Sequence, residues 1–166
     1  LLDESTLYPE ECTIENTKEV TALLEAYGVP VYLSGHLHLQ RIKKHTSNLN
    51  TPGGYGIREI VTSPLPMAPC QYSILNWQAD GSLSYHTKKV DIAGWAQRYG
   101  EEDENLLNFD AYADQFLVDV ISKQAFKALQ SASKDIKEEM ARLYADMNRD
   151  YCSGTKIDVA KIRKSE

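Results

Sequence analysis

The spacing of apolar residues changes near residue 92, and this change constrains the fold more than any other feature of the sequence. Before it, short β-prone runs alternate with segments rich in Gly and Pro; after it, apolar residues recur every three or four positions. The first pattern predicts short strands and the second predicts amphipathic helices. We therefore expect an α/β region over 1–92, an acidic linker over 93–108 and a helical appendage over 109–166.

The α/β region is predicted to begin with a helix that leads into a buried strand. Apolar residues at near-helical spacing between Thr13 and Tyr27 predict a helix that Thr13 caps and Gly28 ends. The apolar run 31–33 follows a proline and is typical of a short buried strand. A helix that feeds directly into such a strand is typical of α/β proteins.

Four further segments are predicted to be extended and to pair antiparallel. Gly81 supplies the turn between the last two of them. The connections over 48–56 and 63–69 are rich in Gly and Pro, so we expect surface loops there. The four segments are 41–45, 57–62, 71–78 and 82–92.

The helical appendage is predicted to contain two long helices and a short terminal one. Apolar stripes run over 109–129 and 136–147, Gly154 marks the end of the second helix, and residues 155–162 suit a short third helix. Such helices could pack on a sheet, cover a site, or join a partner or a second copy of the chain. The sequence leaves these alternatives open, including a homo-oligomer formed through the C-terminal helices.

Composition excludes several classes of protein. With 42% hydrophobic and 25% charged residues among 166, the sequence is typical of a globular protein, and no apolar run approaches the length of a membrane span. The three cysteines are far apart and form no C-x-x-C pair, which predicts unpaired thiols and favours a reducing compartment such as the cytoplasm.

Charge is unevenly distributed along a chain whose net charge is −6. Residues 31–100 contain three acidic and seven basic residues, a local excess of four positive charges, together with all four histidines. A local positive field suits a small anionic ligand, whereas a nucleic-acid backbone requires a broad basic face. We therefore expect a phosphorylated small-molecule substrate and no nucleic-acid surface.

Chemically informative residues concentrate in the run Gly35-His36-Leu37-His38. If the backbone stays extended past the strand, both imidazoles lie on one face about 6.6 Å apart, where they could bind one metal ion or two. Neighbouring residues fit other H-x-H families poorly. Metallo-β-lactamases have an Asp where Gln40 stands, and cupins have a Glu at one of the positions 41–42, where this sequence has Arg and Ile. Amidohydrolases have H-x-H on their first strand, without the helix that is predicted before it here. Two ordinary histidines at a strand end remain the alternative.

The run from Gly28 to Gln40 resembles the last motif of the calcineurin-like metallophosphoesterases, in which Gly-His-x-His closes a dinuclear metal centre. The resemblance covers about residues 1–92, including the Thr-Ser-Pro turn at 62–64. It implies an α/β fold, namely the C-terminal part of a metallophosphoesterase-like β-sandwich flanked by helices. It also implies that His36 binds one of two divalent ions (Mn, Fe or Zn), that His38 binds the other, and that metal-activated water hydrolyses a phosphate mono- or diester.

The earlier motifs of that family, Asp-x-His, Gly-Asp-x-x-Asp and Gly-Asn-His, have no match in this sequence. The resemblance therefore implies a C-terminal fragment, inactive alone, whose missing N-terminal half would complete the site. No catalytic residue is assigned. His45, Tyr55 and Arg58 flank the Gly-rich loop and are candidate substrate-binding residues, with an ordinary hairpin surface as the alternative. A non-catalytic interaction or regulatory module of a larger protein is the second hypothesis for the function.

Overall fold

The computed structural model describes Leu2, residues 12–46 and residues 56–156. The chain divides into two compact units, Leu1–Ser63 and Pro64–Glu166. The boundary falls at the start of the Pro-rich loop predicted over 63–69. Within the described ranges, no helix combines the length and apolar character needed to cross a bilayer.

The described residues of the first unit form one helix and a three-stranded sheet. Its elements are α1 (Thr17–Ala26), β1 (Val31–Ser34), β2 (Arg41–His45) and β3 (Ile57–Val61). Strand β3 is central, parallel to β1 and antiparallel to β2. Because it has a neighbour on each side, its side chains are the most buried, and Ile57, Glu59 and Val61 are all 0% exposed.

Helix α1 starts later than the sequence predicted and ends where it predicted. Asn16, not Thr13, is the N-cap residue, and it makes no side-chain capping hydrogen bond. At the other end Gly28 has a φ of +66°, the left-handed conformation that glycine adopts without steric cost. The predicted role of Gly28 is therefore confirmed, and that of Thr13 is wrong.

Up to residue 156, the second unit consists of an antiparallel hairpin followed by four helices. Its elements are β4 (Gln71–Trp77), β5 (Leu83–Lys89), α2 (Ile92–Tyr99), α3 (Glu104–Leu107), α4 (Phe109–Ala128) and α5 (Lys134–Ser153). Asp91 caps α2 by accepting a hydrogen bond from the Gly94 N–H, at 2.9 Å. The segment predicted as an acidic linker over 93–108 thus contains most of α2 and all of α3.

Helices α4 and α5 form an antiparallel pair joined by a short loop. Ser133 caps the start of α5, and Gly154, at φ +77°, ends it as the sequence predicted. Each helix has a row of buried small or apolar side chains, and Ala113, Leu117 and Ile121 of α4 belong to one core cluster with Ala145 of α5. We call these residues the seam: Ala113, Leu117, Ile121 and Ala125 on α4, with Ala141, Ala145 and Cys152 on α5.

A mixed α/β fold is confirmed. The strands predicted after β1 are confirmed to within a few residues, and the β4–β5 and β2–β3 pairs are antiparallel as expected. Among the described residues the strands form two small sheets, of three and two strands, and no β-sandwich. The terminal helix predicted over 155–162 falls largely outside the described residues.

Candidate functional site

The loop that follows β1 does not have the extended backbone on which the His36–His38 geometry was predicted. β1 ends at Ser34, and both histidines have left-handed backbones, with φ of +77° and +55°. A left-handed backbone costs roughly 1–2 kcal/mol for each residue other than glycine. It also means that the side chains of residues 36–38 do not alternate between two faces as they would in an extended strand. Both histidines are exposed, whereas Leu37 between them packs against Leu39 and Val61.

Sheet register shows which polar side chains lie near this loop. Val61, the last residue of β3, is the partner of Ser34 on one side and of Arg41 on the other. The loop over 35–40 joins these two partners, so Arg41 lies at the same end of the sheet as the histidines. This is the carboxyl end of the parallel strands β1 and β3, where ligands of open α/β sheets bind. At this end of the sheet, Gln40 Oε1 accepts a hydrogen bond from the Ser63 N–H, at 3.3 Å.

The other predicted binding residues lie at the opposite end of the sheet. His45 is the register partner of Ile57, and Arg58 is the partner of Lys44. Arg58 is exposed and belongs to the face of the sheet opposite Glu59, because neighbouring residues on a strand alternate in direction. The structure therefore separates both residues from His36 and His38. Tyr55 lies outside the described residues.

A buried carboxylate, which the sequence analysis did not single out, organises the first unit. Glu59 Oε1 accepts hydrogen bonds from the Leu2 N–H at 3.1 Å and from Ser34 Oγ at 2.7 Å. Its Oε2 lies 2.8 Å from His45 Nε2 and 3.4 Å from Arg41 Nη2. An ionised carboxylate only accepts hydrogen bonds, so His45 carries a proton on Nε2. Four donors occupy the acceptor sites of this side chain.

Burial and hydrogen bonding act in opposite directions on Glu59. Burial alone would raise the pKa of this carboxyl, but hydrogen bonds from His45, Ser34 and the Leu2 N–H, with the charge of His45, outweigh burial and lower the pKa. A carboxylate held ionised by four donors is unsuited to take a proton from a substrate. Its chemical effect is to hold its partners in place, and Ser34 and Arg41 are the partners at the His36–His38 edge.

Arg41 is the residue of this cluster that can reach a ligand. Its side chain is 24% exposed, whereas that of His45 is 9% exposed. The guanidinium carries its N–H donors in a fixed planar arrangement suited to an anion, and it contacts Glu59 through Nη2. We define the candidate site as the edge formed by the loop with His36 and His38, by Gln40 and by Arg41.

One signal in the sequence points to Glu59. Alternation along the predicted strand 57–62 places Glu59 on the same face as Ile57 and Val61, and a charge on an apolar face requires partners, because an isolated charge is very unfavourable in an apolar environment. No comparable signal pointed to Arg41, because its proximity to the histidines depends on the pairing of β2 with β3.

The three cysteines differ in burial. Cys12 is partly buried, and Cys70 and Cys152 are buried in the second unit. Burial raises the pKa of both thiols, and the nearby Asp110 carboxylate raises that of Cys70 further. Both side chains therefore remain protonated and unreactive near neutral pH.

Comparison with known proteins concerns the helical part of the chain. No curated protein matches the chain. Residues 91–166 match the family model described as the C-terminal domain of cyclic nucleotide phosphodiesterase. The match starts at Asp91, the N-cap residue of α2, and includes α2, α3, α4 and α5.

This match corrects the predicted family and the predicted chemistry. The matched family is the C-terminal domain of cyclic nucleotide phosphodiesterase and not a calcineurin-like metallophosphoesterase, so that assignment is wrong. The predicted function as a dinuclear metal-dependent phosphoesterase, with two Mn, Fe or Zn ions at His36 and His38, is corrected with it. Within the described ranges no three His, Cys, Asp or Glu side chains come together as a metal-binding group. The helical part of this chain is thus similar to the C-terminal domain of a cyclic nucleotide phosphodiesterase.

Proposed function

We propose that this chain is the C-terminal part of a hydrolase that cleaves the phosphodiester bond of a cyclic nucleotide. The observation that carries the proposal is the match of residues 91–166 to the C-terminal domain of cyclic nucleotide phosphodiesterase. The described part of the matched segment, residues 91–156, contains α2, α3, α4 and α5 within one compact unit.

The candidate site supplies groups suited to a phosphodiester. In hydrolysis, water attacks phosphorus, one phosphorus–oxygen ester bond breaks, and the leaving oxygen takes a proton. Arg41 is suited to bind the phosphate oxygens and to stabilise the negative charge that develops on them. His36 and His38 are exposed at the same edge, and imidazole is the side chain best suited to donate a proton near neutral pH. Glu59 acts as a positioning residue for Arg41.

The remainder of the parent protein would cover the other face of the three-stranded sheet. Leu33 on β1 and Ile42 on β2 are both register partners of Ile60, and they are 60% and 53% exposed. The two residues flank Ile60 on one face of the sheet, and large exposed apolar residues on a sheet face are typical of a surface that another layer covers. This supports the proposal that residues 1–63 belong to a larger sheet domain, completed by an N-terminal part of the same protein.

The test uses the product of the complete gene that contains this sequence, assayed against both regioisomers of cyclic AMP and against AMP. The proposal predicts conversion of a cyclic substrate to AMP and no release of phosphate from AMP. Arg41→Ala is expected to lower kcat/KM by about 10²–10³-fold, the usual cost of losing one group that stabilises developing charge. Lys43→Ala is the matched control, because Lys43 is exposed on the same face of β2. Phosphate release from AMP without cleavage of either cyclic substrate would contradict the proposal.

A further inference from the structure

The loop over residues 35–40 has an unusual backbone conformation. The angle φ is positive at His36 (+77°) and at His38 (+55°), but not at Gly35, Leu37 or Leu39. When residues alternate between the right-handed and left-handed regions, successive backbone N–H groups point to one side and form a concave group of donors called a nest. Nests bind anions, and phosphate-binding loops use them. The alternation over residues 35–39 therefore indicates an anion-binding nest.

The first N–H groups of this loop have no acceptor within the described part of the chain. No hydrogen bond between described residues uses the N–H of Gly35, His36 or Leu37 as its donor. Gly35 and His36 are exposed, and a Cβ atom added at Gly35 would meet nothing within 4 Å. The space beside these groups is therefore open to a ligand. We call the N–H groups of Gly35, His36 and Leu37 the loop donors.

Contacts within the first unit hold the loop in this conformation. Leu37 packs against Leu39 and Val61, and Gln40 accepts a hydrogen bond from the Ser63 N–H where the loop ends. A left-handed backbone is unfavourable for residues other than glycine, so it persists only where the surrounding structure determines it, and such residues cluster at ligand-binding sites. Donors fixed in advance also bind a ligand at a lower cost in conformational entropy.

The charge of the surrounding sheet suits an anion. Residues 31–63 contain four basic residues and one acidic residue, Glu59. The side chain of Glu59 is 0% exposed and is already bound by four donors, so the three described strands present no exposed carboxylate that would repel an anion. Arg41, at the same end of the sheet as the loop, supplies a permanent positive charge.

We propose that the loop donors, together with the Arg41 guanidinium, bind the phosphate group of the substrate. The inference rests on the proposed function for the identity of the substrate, and it adds that the backbone binds the phosphate. Neutral N–H groups fix the position of an oxyanion, and a guanidinium balances its charge. His36 and His38 then contribute to binding through their left-handed backbones, which leaves their imidazoles for proton transfer.

The first test follows the Gly35 N–H directly. The product of the complete gene is labelled at its glycine amides for NMR and titrated with inorganic phosphate. The Gly35 N–H resonance is expected to shift downfield and to saturate, because this N–H becomes a donor to phosphate. Gly81 is the matched control: its N–H already donates to the Gln78 carbonyl at 3.0 Å, so its resonance should not move. No saturable shift at Gly35 up to about 10 mM phosphate would overturn the proposal.

Two substitutions of His36 separate the backbone from the imidazole. His36→Gly keeps the N–H and favours the left-handed backbone, so phosphate affinity should stay within about threefold of wild type. His36→Val removes the same imidazole but disfavours that backbone, so affinity should fall about tenfold or more. An equal loss in both variants would assign phosphate binding to the imidazole and overturn the proposal. If His36→Val fails to fold, His36→Gly alone decides, because retained affinity without the imidazole is the predicted result.

The contribution of Arg41 is measured in the same titration. Arg41→Ala is expected to weaken phosphate binding about tenfold or more, the usual cost of losing a hydrogen bond to a charged group, whereas Lys43→Ala leaves it unchanged. Equal affinities in these two variants would contradict the assignment of Arg41.

Binding is measured without turnover, so this inference and the proposed function fail separately. Saturable binding at Gly35 in a protein that cleaves no cyclic nucleotide would contradict the proposed function and support the anion site. Cleavage of cyclic AMP without a shift at Gly35 would overturn the anion site and leave the proposed function in place.

Discussion

Replacing Glu59 by Gln tests whether the buried carboxylate holds the first unit together. The substitution keeps the size of the side chain but removes its charge, and one of its two carboxylate oxygens becomes an NH₂ group that faces donors. The hydrogen bonds from Arg41 and His45 then lose their charge assistance, and at least one donor is left without an acceptor.

The expected loss follows from these contacts. Hydrogen bonds to a charged group contribute about 1.5–3 kcal/mol each, and breaking a buried ion pair by changing one partner costs about 3–5 kcal/mol. Arg41 is partly exposed, so its contact with Glu59 belongs at the low end of these values. We expect Glu59→Gln to destabilise the first unit by about 3–4 kcal/mol, a large share of the 5–15 kcal/mol typical of a domain.

Amide hydrogen exchange is the suitable assay because the chain has two compact units, and a single free energy of unfolding would combine the stabilities of both. Hydrogen exchange reports the stability of each unit separately. In Glu59→Gln, the amides of β1, β2 and β3 should exchange at least 100-fold faster at neutral pH, while those of α4 and α5 keep their protection. Glu138→Gln is the control: Glu138 pairs with Lys134 at the surface, at 3.7 Å, and its loss should cost under about 0.5 kcal/mol. A loss below about 1 kcal/mol in Glu59→Gln would refute the assignment of Glu59 as the centre of this unit.

Three further predictions concern acid stability, thiol reactivity and one backbone position. The pKa of Glu59 is lower in the folded chain than its ordinary value of 4.5. The contribution of Glu59 to stability is therefore present above pH 4.5 and is lost as the pH falls through the folded pKa. Acid titration followed by hydrogen exchange should show this loss in wild type and not in Glu59→Gln. Cys12, which is only partly buried, should react with a thiol reagent faster than Cys70 or Cys152 in native protein, and equal rates would contradict the burial described here. Gly28→Ala should destabilise the first unit by about 1 kcal/mol in the same exchange assay, because Gly28 is left-handed, and an unchanged stability would refute that reasoning.

Elements with strong local signals could be predicted from the sequence. The stripes of α4 and α5 and the turn at Gly81 depend on residues close together in the chain, and the structure has these elements at nearly the predicted positions. The start of α1 could not be placed as well, because Thr13 and Asn16 are both acceptable N-cap residues and only the packing of Thr17 and Thr21 decides between them.

The candidate site could be predicted only in part. His36 and His38 do lie at the carboxyl edge of a sheet, but their backbone conformation depends on how the loop turns from β1 into β2. The pairing of both β1 and β2 with β3 brings Ser34, Arg41 and Glu59 together across many residues of sequence. No local pattern encodes that pairing, so the cluster becomes visible only in the folded chain.

The most direct test of the proposed function follows phosphorus NMR of cyclic AMP incubated with the product of the complete gene. We predict that the cyclic phosphodiester resonance decreases while a phosphomonoester resonance grows to the same extent, that no inorganic phosphate appears, and that Arg41→Ala slows the conversion far more than Lys43→Ala. A cyclic resonance that stays unchanged for both regioisomers, in active preparations that hydrolyse another phosphate ester, would contradict the account.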